Sequence, residues 1–110
     1  MFGSTVEKIE KLAQKGHFDK IAEHLNDKNE AVRLAAIDAL GQCADDVAFN
    51  ALVPLVHHAD PKVRIHTAQA LSMQKQPRAR AYLEHQLRSE QDPAVVQAID
   101  EALAKISDPD

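Results

Sequence analysis

One motif occurs three times at nearly constant spacing, and it limits what this chain can fold into more than any other feature. Val32-Arg33 runs on to Ala39-Leu40-Gly41, Asp60-Pro61-Lys62-Val63-Arg64 runs on to Ala70-Leu71-Ser72, and Asp92-Pro93-Ala94-Val95 runs on to Ala102-Leu103-Ala104. Val32, Val63 and Val95 stand 31 and 32 residues apart, and Leu40, Leu71 and Leu103 each follow eight residues later. A unit this short cannot bury its own apolar face, so the copies must stack, and a period of this length belongs to an array of helical hairpins.

The apolar mass suits that reading. The 110 residues are 45% hydrophobic and 27% charged, yet there is no Trp, one Tyr and three Phe, so the core falls to Ala, Leu, Val and Ile, which pack helices closely. The expected fold is all-α, a right-handed α-α superhelix of one cap helix and three hairpins, seven helices in all, forming a single domain. The cap helix is expected over residues 4–15, started by Ser4 or Thr5 and stopped at Gly16, with hairpins over about 18–43, 46–74 and 77–106. Asp60-Pro61 and Asp92-Pro93 read as helix starts, Asp capping the N-terminus and Pro occupying the first turn, where its missing N–H costs nothing. Pro77 reads as a further start. Pro54 falls inside a predicted helix over 47–58 and predicts a bend there.

With Val32, Ala36, Ala39 and Leu40 placed inward on a helical wheel, Leu34, Ile37, Asp38 and Gly41 point outward, and the second copy offers Ile65 and Gln69 at matching positions. Leu34, Ile37 and Ile65 then form an apolar strip along the inner surface, with Asp38 and Gln69 beside it: a candidate partner-binding face. Two other outcomes suit the same strip, that curvature brings the three side chains together so that they cover one another, or that a homodimer buries them. Between Asp60 and Glu84 lie Lys62, Arg64, Lys75, Arg78 and Arg80 with no acid, and Lys75, Arg78 and Arg80 predict a basic edge for an acidic segment or a phosphate. The C-terminal end is acidic, through Asp92, Asp100, Glu101, Asp108 and Asp110.

The formal charge of −4 and the lack of aromatics among the basic residues, Tyr82 apart, argue against a specific nucleic-acid partner. No window approaches 20 apolar residues, no signal peptide is visible and the single Cys43 cannot form an internal disulfide; a cytoplasmic chain with no membrane partner is expected. Of the six histidines no two stand four apart on one helix face, so neither a metal nor another cofactor is expected. His57 and His58 are placed to meet helix C-terminal carbonyls, and His66, beside the inward stripe, requires a hydrogen-bond partner. Cys43 reads as packing rather than as a nucleophile.

The Asp-Pro, Val-Arg, small-residue and Ala-Leu-Gly pattern resembles the short HEAT-like repeat found in phycobilisome bilin lyase subunits, over about residues 18–106. Val96 stands where the pattern has Arg, and Ser72 and Ala104 stand where it has Gly. The resemblance implies a ladder in which Arg33 pairs with Asp60 and Arg64 with Asp92, and a third copy that ends the array. It also implies a non-catalytic scaffold binding another protein on its inner face, with an accessory subunit of a lyase-like enzyme or a homodimeric structural protein as alternatives. The HEAT-like di-iron hydroxylases carry His-Glu pairs on inner helices; no His-Glu dipeptide occurs here.

Overall fold

A computed structural model describes residues 4–106. Among them seven α-helices and no strands are found: α1 (Ser4–Gln14), α2 (Phe18–Ala22), α3 (Glu30–Leu40), α4 (Asp46–Leu52), α5 (Pro61–Gln74), α6 (Ala79–Ser89) and α7 (Pro93–Lys105), with a 3-10 segment at Val53–His57 between α4 and α5. The capping expected of Ser4, and the acidic Asp108 and Asp110, lie outside the described side chains.

Local chemistry sets most boundaries. The side chains of Asn29, Asp45, Asp60 and Asp92 accept from Val32, Ala48, Lys62 and Ala94 N–H at 3.2, 3.0, 2.9 and 2.9 Å, and Pro61 and Pro93 open the two helices after Asp60 and Asp92. Gly16, at φ 77°, turns the chain out of α1 without steric cost, whereas Lys75 holds the same left-handed region at φ 56° after α5. Pro54 produces more than the expected bend. Its missing N–H and its clash with the preceding turn end α4 at Leu52, and Val53–His57 continues as 3-10 helix.

The helices form two layers. In one, α1, α3, α5 and α7 lie side by side; in the other, α2, α4 with its 3-10 extension, and α6 cover their backs. The described residues extend 42 × 29 × 17 Å, and the thin dimension holds two helices at the usual separation of about 8–10 Å. Ile21, Leu52 and Leu83 of the second layer meet Leu40, Leu71 and Ile99 of the first in one continuous core, all of them buried.

Ile37 is part of that core, with no exposed surface, and the apolar strip predicted for the inner surface is corrected accordingly. The reason is visible one turn on. A Cβ added to Gly41 would stand 3.0 Å from Ala70 Cα and 3.2 Å from Ala70 O, so this face of α3 lies against α5. Residues four apart share a helix face, and Ile37 is therefore directed at α5, not at solvent. Its counterpart Ala68 is buried too, whereas Asp100, with no further described helix beyond α7, is exposed. Leu34 and Ile65 are half-buried and pack onto the core, so they are covered largely by the array itself.

Candidate binding face

The inner helices α3, α5 and α7 share one stripe turned to solvent. In α3 and just beyond its end it carries Asp38 and Gln42, in α5 Gln69 and Met73, in α7 Glu101 and Lys105, all exposed. Members of each pair are four apart and occupy matching places in the three copies. Two buried places carry the same residue in all three copies: Val32, Val63 and Val95; Ala39, Ala70 and Ala102. Asp38 and Gln69 of the predicted face are thus presented; Ile37 is not, and Leu34 and Ile65 are half-buried. Met73, 56% exposed, is the large apolar group that takes their place, and it was not anticipated. Its position four residues after Gln69 was the available clue.

Two grooves run along this layer. One, of about 370 Å³, lies between α1 and α3, with Ala35, Asp38, Ala39 and Gln42 as its α3 wall and Ile9, Glu10, Ala13 and Gln14 opposite. The other, of about 260 Å³, lies between α5 and α7, with Ala98, Glu101, Ala102 and Lys105 as its α7 wall. The two walls occupy equivalent places, 63 residues apart throughout. Between the grooves, α3 and α5 close together at Gly41 and Ala70, and His66 Nδ1 lies 2.8 Å from Asp38 Oδ1. A carboxylate only accepts, so Nδ1 carries the hydrogen. That is the partner His66 was expected to need.

The arginines of the motif make a repeated clamp. Arg33 Nη1 donates to the carbonyls of Asp27 and Lys28 at 2.9 and 3.2 Å; Arg64 Nη1 donates to those of His58 and Ala59 at 2.8 and 3.1 Å. In both cases the guanidinium ties down the loop that leads into its own helix, and its other edge reaches the next hairpin. Arg33 Nη2 lies 3.8 Å from Asp60 Oδ2. Arg64 departs from the expected ladder: its Nε and Nη2 each donate at 2.9 Å to Glu90, not to Asp92. Asp92 is occupied as the cap of α7, whereas the longer Glu90 side chain reaches Arg64 and also accepts from Gln86 Nε2 and from the Asp92 N–H. The paired Arg64 guanidinium, outweighing the burial that pushes the other way, holds the Glu90 carboxyl down to about 2.

The predicted basic edge does not assemble. Arg78 lies over the Phe49 ring, 3.9 Å from its centroid, and bonds Asp46 at 2.6 Å. Arg80 turns away to the end of α7, donating to the carbonyls of Leu103 and Ile106 at 2.9 and 2.8 Å, which leaves Lys75 by itself at the turn, exposed. Gln74 closes the end of α3 in the same manner, donating to the carbonyls of Leu40 and Cys43 at 3.2 and 2.7 Å. His57 bonds Gln86 within the second layer at 2.6 Å and His58 accepts from the Asp60 N–H at 3.0 Å, in place of the helix-end carbonyls expected for them. Cys43 is half-buried against the core, and burial pushes its thiol upward. Among the described residues no three His, Cys, Asp or Glu side chains gather into a set that could hold a metal ion, and no helix is long and apolar enough to cross a membrane.

Stacked hairpins with recurring interior places and an exposed, variable stripe define an α-helical repeat protein. The chain belongs to the HEAT-repeat family, whose pattern it matches over residues 18–110. No curated protein matches it. HEAT repeats generally mediate protein–protein interaction and are typically scaffolds rather than catalysts.

Proposed function

We propose that this chain is a non-catalytic interaction module that docks a partner protein on the face formed by α1, α3, α5 and α7. The supporting observation is the contrast within each motif helix. Two buried places keep their residue in all three copies, Val32, Val63 and Val95, and Ala39, Ala70 and Ala102, while the solvent-facing places change chemistry, Asp38 to Gln69 to Glu101 and Gln42 to Met73 to Lys105. A rigid, regular frame presents a surface that does not repeat, which is what recognition of one particular partner needs.

The lyase-subunit alternative draws no support from Cys43, whose raised, half-buried thiol is poorly suited to nucleophilic attack. The homodimer alternative rested on Leu34, Ile37 and Ile65, of which the array buries Ile37 wholly and Leu34 and Ile65 in part. The test is a photoreactive side chain at position 73, compared with one at Asn50 on the opposite layer, in an extract of the source cells. An adduct formed at 73 and not at 50, and reduced by Gln69→Lys with Glu101→Lys, supports the reading. Equal labelling at the two positions overturns it.

A further inference from the structure

The α1–α3 groove has a composition that points to the chemistry of its occupant. Glu10 and Asp38 stand on opposite walls, Ile9 and alanines 13, 35 and 39 line it with apolar surface, and Gln14 and Gln42 lie along it. Glu10 forms no ion pair among the described residues, and Asp38 meets only His66, through one oxygen. The amides of Gln14 and Gln42 make no side-chain hydrogen bond to any described residue. An apolar channel with carboxylates on both sides matches a long aliphatic stem ending in a positive charge.

We propose, building on the reading above, that this groove receives an arginine or lysine side chain from an extended segment of the partner. The stem lies on the alanines and Ile9, the cationic head sits between Glu10 and Asp38, and the glutamine amides take the segment's main chain. The matching α5–α7 groove sets a register. It lies two helices away, about 18 Å at ordinary helix spacing, which an extended chain spans in about five or six residues. The segment's second anchor is therefore about five or six positions from the cation. It meets Met73, Gln69 and Glu101.

The test uses the ¹⁵N-labelled chain and acetylated octapeptides of glycine and serine carrying one arginine, one lysine or one citrulline. Saturable shifts of the Ala13, Ala35, Ala39 and Gln42 amides are expected with arginine and lysine, and about tenfold weaker binding with citrulline, whose side chain has arginine's shape but no charge. Glu10→Gln with Asp38→Asn weakens the arginine peptide about tenfold, Glu10→Gln alone weakens it in part, and Glu84→Gln on the other layer leaves it unchanged. Both groove variants preserve side-chain shape, and the amide oxygen that Asp38→Asn leaves in place still accepts from His66, so the fold is retained by circular dichroism. Absence of saturable shifts, equal binding of citrulline, or equal loss with Glu84→Gln overturns the proposal. A position-73 adduct together with silent peptides would leave the docking face standing and remove the cation from it.

Discussion

Gly41 is the residue whose replacement should be felt most for its size. A methyl there meets the backbone of Ala70 in a buried helix that has little room to move, and the overpacking cost exceeds the gain in helix propensity. Gly41→Ala should lower stability by about 1–2 kcal/mol in urea unfolding. Thr67 runs the other way. Its hydroxyl is fully buried and finds no partner, so Thr67→Val should raise stability by about 1 kcal/mol in the same assay. At this scale the sequence was read well where a position repeats, as at Val32, Val63 and Val95, and badly at Ile37. A wheel with one inward stripe suits a helix lying on a single surface. A helix in the middle of the inner layer is covered on three sides, and the apolar pair at Ile37 and Ala68, followed by the small Gly41 and Ser72, was the mark of that second covered side.

The Asp-Pro helix starts were legible, and so was the stop of α1 at Gly16, whereas Pro77 stands two residues before α6 and the ends of α3 and α7 were not legible, for a physical reason. An Asp-Pro start is closed by groups within three residues, whereas α3 and α7 are ended by Gln74 and Arg80, 23 to 34 positions distant from the carbonyls they satisfy. The basic edge failed for the same cause: residues adjacent in sequence were already bound to distant elements. The Arg64–Glu90 link gives the clearest prediction among such contacts, since the Glu90 side chain is only 2% exposed. Its folded pKa, about 2, lies below the ordinary 4.5, so the ionised form adds stability above 4.5 that is lost as pH falls toward 2. Glu90→Gln should therefore cost about 3 kcal/mol at pH 7. In chemical unfolding followed from about pH 7 to 3, the gap between variant and wild type should hold down to about pH 5 and narrow below it; a gap independent of pH would remove the account.

Over the whole molecule, among the described residues, α5 has the most neighbouring elements, packed against α3, α4, the 3-10 segment, α6 and α7, while α1 has only α2 and α3. Amide hydrogen exchange should be slowest in α5 and fastest in α1, because local opening costs least where fewest buried contacts are broken. The array itself was readable from its period, since stacking is forced on any unit that cannot bury its own face. The groove walls were not, because they depend on how far neighbouring helices stand apart. One consequence of the guanidinium clamps lies in the order of the copies. Arg33 and Arg64 each hold their own entry loop with one edge and face a carboxylate of the following hairpin with the other, Asp60 in the first case and Glu90 in the second, whereas Val96 does neither. The three copies are spelled alike but cannot be transposed. Exchanging the second and third would leave a loop unclasped in the middle of the stack, and the chain has a reading direction fixed by two side chains.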